Sequence, residues 1–173
     1  MTTVSNNSDQ PSRWTALNIV LHWLIVVLII LQWLTADFMG KLLRAQSSGN
    51  DVGGTSEFLA YGHAAIGILV LLSILTRLFD RFYQGRPPHP TETPNWANLV
   101  AKITHFLLYA TLIVMPLSGM AAFFGGIKPA KEVHELLWTP LLVLVAVHVV
   151  GALVNHFHYK NDVLVRMMPG RGR

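Results

Sequence analysis

Residues 14–36 contain no aspartate, glutamate, lysine or arginine. About 20 apolar residues of α-helix cross the ~30 Å hydrocarbon core of a bilayer. Inside that core every backbone N–H and C=O must find its partner within the chain. A stretch of this length therefore commits the chain to a membrane-spanning helix. Three more apolar blocks follow, at about 56–82, 95–124 and 131–158. Only 13% of the 173 residues are charged, about half the ~25% usual for soluble domains. The expectation is an all-α membrane protein, a bundle of four transmembrane helices over residues 14–159 with short connections. Residues 1–13 are polar and expected to be disordered, and 160–173 form a basic tail. Residues 1–13 also lack the basic start and apolar core of a signal peptide, so the first span is expected to be retained.

Composition shapes the connections. Residues 37–56 contain SSGNDVGG and are expected to form a flexible loop. Ser56 is the expected N-cap of the second helix. Residues 80–94 include four prolines, which exclude a helix. Gly125 and Gly126 end the third span, and the short GGIKPA link makes helices three and four antiparallel neighbours.

Lysine and arginine set the orientation. Lys41, Arg44, Lys128 and Lys131 fall on one side. Arg13, Arg77, Arg81, Arg86, Lys102, Lys160, Arg166, Arg171 and Arg173 fall on the other. Nine against four puts both termini in the cytoplasm by the positive-inside rule. The net charge of +4 therefore concerns topology rather than nucleic acid, and no nucleic-acid partner is expected. The absence of cysteine excludes disulfides, thiolate metal sites, cysteine-held iron–sulfur clusters and covalent haem attachment.

Histidine carries the chemistry. His134 and His148 lie fourteen residues apart in the last block. Fourteen residues of helix rise about 21 Å and leave the two side chains within about 40° of one face. His22 is eight residues inside Trp14, and His148 is ten before His158. His63 is six after Glu57, and His134 three after Lys131. At ~1.5 Å per residue these depths sort into an inner pair, His22 with His148, and an outer pair, His63 with His134. One intramembrane histidine is as well explained by hydrogen-bonded packing. Four that sort into two depth-matched pairs favour metal ligation, because intramembrane polar groups are expensive and usually functional and imidazole is a common axial ligand of haem iron.

His105 also lies at the inner depth. It can replace His22 or His148 as ligand, or bond a haem propionate or a quinone oxygen. Pro140, between the two histidines of helix four, removes a donor to the Leu136 carbonyl and is expected to cause a mild kink. His89 reads as a solvated loop residue.

The motifs around these histidines are LHW at 21–23, GHAAIG at 62–67, THFLLYATLIVMPLSG at 104–119, VHELL at 133–137 and VHVVGALVNHFHYKNDVLVRMMP at 147–169. With them the chain resembles the prokaryotic cytochrome b561 family over about residues 13–169. The resemblance implies two non-covalent haem b groups held inside the four-helix bundle. It makes His22 and His148 the ligands of the cytoplasmic haem, and His63 and His134 those of the periplasmic haem. His105 is a family position not normally assigned as a ligand. The family includes superoxide oxidases. The implied activity is therefore oxidation of periplasmic superoxide with reduction of ubiquinone, in a bacterial inner membrane among lipid.

His105, His156, His158, Lys160 and Arg166 are the candidate contacts for a quinone or a haem propionate. Lys128 and Lys131, with Lys41 and Arg44, are the candidates for steering an anion to the outer haem. An alternative is a haem b subunit that anchors a periplasmic dehydrogenase or hydrogenase. A haem-free transporter or structural membrane protein is a third class, which a haem spectrum would separate at once.

Overall fold

The computed structural model describes residues 14–85 and 93–170. The expected disorder of residues 1–13, and His89, Arg13, Arg86, Arg171 and Arg173, lie outside the described residues. Among the described residues five α-helices follow in order: α1 Ala16–Ser48, α2 Gly54–Gln84, α3 Asn95–Gly125, α4 Lys128–Leu136 and α5 Trp138–Phe157. α4 and α5 together make the fourth span, so four helical segments are long and apolar enough to cross a membrane. Leu17, Val20, Val27, Leu72, Val143 and Val150 are among many apolar side chains left exposed on the bundle's outside, as lipid contact requires.

The connection between the first two spans is much shorter than expected. α1 runs to Ser48, where Gly49 ends it in the left-handed conformation with its N–H on the Ala45 carbonyl. The charge at Asp37 marks the end of the apolar stretch but not of the helix. Residues 37–48 continue as an amphipathic helix with Leu42 buried. The expected Ser56 cap is also corrected. α2 begins two residues earlier, at Gly54, with Gly53 as N-cap and Ser56 inside the first turn. At its other end α2 reaches Gln84, so residues 80–84 of the expected loop are helical.

The α3–α4 link is as short as expected. Gly126 takes the left-handed conformation, and the N–H groups of Gly126 and Ile127 cap the Ala122 and Ala121 carbonyls. The fourth span is interrupted at Leu137, the one residue between α4 and α5. Pro140 offers no N–H to Leu136, yet Leu137 N–H still reaches the Val133 carbonyl and Leu141 N–H the Leu137 carbonyl. Backbone hydrogen bonding therefore carries on across the interruption, with Leu137 itself in the right-handed helical region.

α1 packs along α2, α2 against α3, and α3 against both α4 and α5. Among the described residues α1 and α5 do not pack closely, nor do α2 and α4. Ile25, Leu28, Val70, Leu71, Ile74, Leu112 and Leu141 form the buried cluster at mid-height. Leu141 is seven residues from both His134 and His148, so this apolar layer separates the two histidine levels.

Residues 160–170 fold back on the bundle. The Trp23 indole N–H donates to the Met167 carbonyl over 2.8 Å. Asn161 is buried and donates through Nδ2 to Thr93 Oγ1 and Asn155 Oδ1. Thr93 Oγ1 also donates to Asn155 Oδ1. Asn155 thus ties the end of α5 to the start of the third span and to the tail. The end of the bundle that holds this knot also holds the start of α1, and is called here the terminal end. The opposite end is the far end.

Candidate functional site

Two pairs of imidazoles face one another, and in each pair the rings come from helices that do not pack closely. His22 on α1 and His148 on α5 have ring centroids 6.0 Å apart. His63 on α2 and His134 on α4 have centroids 6.2 Å apart. A metal–imidazole bond of about 2 Å, plus about 1.1 Å from nitrogen to ring centre, puts the centroids of two trans ligands about 6 Å apart. Both pairs match that separation. Helices in direct contact sit about 8–10 Å apart, too close for a flat macrocycle between them. The ring planes in the two pairs cross at 68° and 78°. Thr35, thirteen residues beyond His22 on α1, lies 3.2 Å from His63. The two levels are therefore about 20 Å apart along α1.

At the far end the hydrogen bonds of both imidazoles suit metal ligation as they stand. His134 Nδ1–H donates to the Met115 carbonyl at 2.7 Å. The Thr35 hydroxyl donates to the Leu31 carbonyl, so its oxygen accepts Nδ1–H of His63. Both histidines thus carry the proton on Nδ1 and leave Nε2 bare, as a metal-binding imidazole with an outer hydrogen-bond partner requires. An apolar cavity of about 690 Å³ includes both rings, with Gly67, Gly119 and Trp138 in its wall. That is within the ~300–1,000 Å³ of cofactor sites. Its walls leave no room for larger side chains. A Cβ on Gly119 would sit 2.9 Å from His134 Cε1 and Nδ1, and one on Gly67 3.0 Å from Gln32 Nε2. Gln32 lines this wall, its Oε1 buried and without a hydrogen-bond partner among the described residues.

The terminal-end pair fits in spacing but needs one hydrogen bond exchanged. Arg77 Nη1 lies 2.9 Å from His22 Nδ1. A guanidinium only donates, so His22 Nδ1 accepts and a neutral ring carries its proton on Nε2. Binding iron through Nε2 needs the other tautomer and therefore release of Arg77 from His22. Arg77 is itself held through Nε by Asn18 Oδ1. Asn18, with no solvent exposure, donates through Nδ2 to Asp80 Oδ2 and the Arg77 carbonyl. Thr15 Oγ1 also donates to Asp80. Nothing in the sequence pattern links these four residues, because Asn18 and Thr15 meet Arg77 and Asp80 only when α1 and α2 pair antiparallel.

His105 joins this level. Its ring centroid is 5.1 Å from that of His148, and its Nδ1–H donates to the Ala101 carbonyl at 2.6 Å. Its tautomer suits ligation, but 5.1 Å is about 1 Å short of the trans-ligand separation. The ring lies beside His148 rather than opposite it across a metal.

The other candidates scatter. His156 is half-buried, its Nδ1 without a hydrogen-bond partner among the described residues and its ring edge-on to Phe157. His158 and Lys160 are exposed. Arg166 is tied by Nε to Asp162 Oδ1 at 2.8 Å, a hydrogen bond that holds the Asp162 carboxyl below the usual carboxylate range. At the far end Lys131 is paired with Glu135 at 3.0 Å and Lys41 lies over the Phe38 ring, while Lys128 is exposed. Of the five expected quinone contacts, His105 lies beside the His148 imidazole.

The family model described as prokaryotic cytochrome b561 matches residues 13–170. A cytochrome b562 from Cereibacter sphaeroides is 32% identical over 94% of this chain and 99% of its own length. A Yersinia pestis protein named "Probable superoxide oxidase CybB" is 26% identical over 91% of this chain and 96% of its own. The Escherichia coli cytochrome b561 homolog 1 is 25% identical over 92% of this chain and 99% of its own. A match over nearly the whole chain, onto four membrane-length helices, leads to one conclusion: this is a multi-pass membrane protein that belongs to the prokaryotic cytochrome b561 family of haem b electron-transfer proteins.

Proposed function

We propose that the chain binds two non-covalent haem b groups, one per histidine level, and passes electrons from the periplasmic side of a bacterial inner membrane to ubiquinone. The observation that carries this reading is the pair of imidazole couples, 6.0 and 6.2 Å between centroids, one at each end of the bundle. His63 and His134 would hold the haem at the far end, and His22 and His148 the one at the terminal end. Haem b, when bound, supplies reversible one-electron chemistry. The residues do the rest. Thr35 and the Met115 carbonyl fix the far-end ring tautomers, and a haem held by two imidazoles would favour electron transfer over oxygen binding. The mid-height apolar cluster keeps water from the path between the levels.

The terminal end is the cytoplasmic one, supported by the lysine and arginine count. Superoxide is the proposed donor, supported by the superoxide oxidase relative. Two superoxide anions each lose one electron to give two dioxygen molecules. One ubiquinone takes the two electrons and two protons to give ubiquinol. The quinone meets the terminal end beside His156, whose buried Nδ1 has no hydrogen-bond partner among the described residues and suits a quinone oxygen or its proton. Superoxide generated outside liposomes containing the pure protein should reduce ubiquinone in their membrane, and His156→Ala should slow reoxidation of the reduced haems. No quinone reduction without an added protein partner would instead favour a subunit that serves a periplasmic dehydrogenase or hydrogenase.

A second reading of the terminal-end level rests on the His22 contact with Arg77: His105 and His148 as the ligands. The 5.1 Å separation weighs against it. His105→Ala that spares both haems, with His22→Ala losing one, selects the first reading.

A further inference from the structure

The wall of the far-end cavity is apolar around the two imidazoles, but Asp37, Arg44, Lys131 and Glu135 also line it. Lys131 and Glu135 satisfy one another. Arg44 has no ion pair and no side-chain hydrogen bond among the described residues. Asp37 is seven residues back on the same helix, about 10 Å along its axis. Arg44 sits on the part of α1 that continues past the apolar stretch, and buried Leu42 pins that part to the bundle. A helical side chain leans towards the N-terminus of its helix, which here is back towards the membrane. The guanidinium does so: a Cβ on Gly40 would lie 3.4 Å from Arg44 Nη1. Glycine one turn inward leaves the fork lying over bare backbone, beside the cavity that holds His63 and His134.

The edge of haem b is apolar except for its two propionates. A planar guanidinium with free donors matches one carboxylate in a two-point hydrogen bond. We infer that Arg44 anchors a propionate of the far-end haem, rather than serving as a solvated charge that steers anions. The inference rests on the reading that His63 and His134 ligate a haem.

The test is reconstitution of the full-length apoprotein with haem b or with haem b dimethyl ester, whose propionates are uncharged. Occupancy and midpoint potential of the far-end haem are read by redox titration, with the terminal-end haem as internal reference for folding. With haem b, Arg44→Gln should weaken far-end haem binding about 10- to 100-fold, the loss of a charge-assisted hydrogen bond. It should also lower that haem's potential, because a nearby cation favours the reduced form. Arg44→Lys keeps the charge without the fork and should fall between. With the dimethyl ester, wild type and Arg44→Gln should bind alike. Equal haem b binding and potential in wild type and Arg44→Gln overturns the inference, as does an Arg44→Gln loss that persists undiminished with the ester. Wild-type protein with no far-end haem overturns the ligation reading beneath it.

Discussion

Gly119→Ala asks whether the far-end haem depends on one missing methyl. The added Cβ would lie 2.9 Å from Cε1 and Nδ1 of His134, where carbon contacts settle at about 3.5–4.0 Å. The ring must retreat by about 0.6–1.1 Å. A retreat of that size away from the Met115 carbonyl would stretch the ring's 2.7 Å hydrogen bond past the ~3.2 Å limit of a good N–H···O bond. Met115 is one turn from Gly119 on the same helix, so the backbone that would carry the methyl also carries the acceptor. Overpacking costs about 1–3 kcal/mol. Losing the outer partner of a ligating histidine typically weakens metal binding about 10- to 100-fold. The assay is the haem-to-chain ratio after purification, with a reduced-minus-oxidised spectrum to show which level is lost. Gly151→Ala is the control, since a Cβ there meets nothing within 4 Å. The reasoning is refuted if Gly119→Ala keeps its far-end haem with an unshifted spectrum and unchanged affinity.

Two other outcomes are expected. Asn18→Leu strands Arg77 Nε and one acceptor site on Asp80, and should destabilise the folded protein by about 2–4 kcal/mol in a detergent-denaturation titration; a change under 0.5 kcal/mol would show that the network is slack. Charge reversal at Lys128 and Lys131 together should slow superoxide reduction of the protein at low salt and matter little near physiological ionic strength, where screening acts over about 8 Å. Most of that effect should come from Lys128, because Lys131 is already paired with Glu135.

The four spans and the two histidine levels were legible because both rest on simple arithmetic. Uncharged length gives a span, and helical rise converts residue number into depth. His22, His63, His134 and His148 meet in the pairs that this arithmetic predicts. Its failures are equally physical. At Asp37 the lipid-facing pattern stops while the helix goes on, because Leu42 still has a bundle to pack against; hydropathy reports lipid, not helix. Ser56 has the chemistry of an N-cap, but Gly53 takes the position. The groups that orient the imidazoles come from other helices, such as Thr35 for His63, or from backbone, such as the Met115 carbonyl for His134. No spacing within one helix encodes them. The tail reads as a basic segment, and its fold-back onto Trp23 and Thr93 depends on acceptors and donors far away in the chain.

The most direct test is the haem-to-chain ratio of the purified protein and of its four single histidine variants, with haem extracted into acidified organic solvent. The account predicts two extractable low-spin haems per chain. His63→Ala or His134→Ala should remove one of them, and His22→Ala or His148→Ala the other. One haem per chain in the wild type, or a His22→Ala protein that keeps both low-spin haems while His105→Ala loses one, would contradict it.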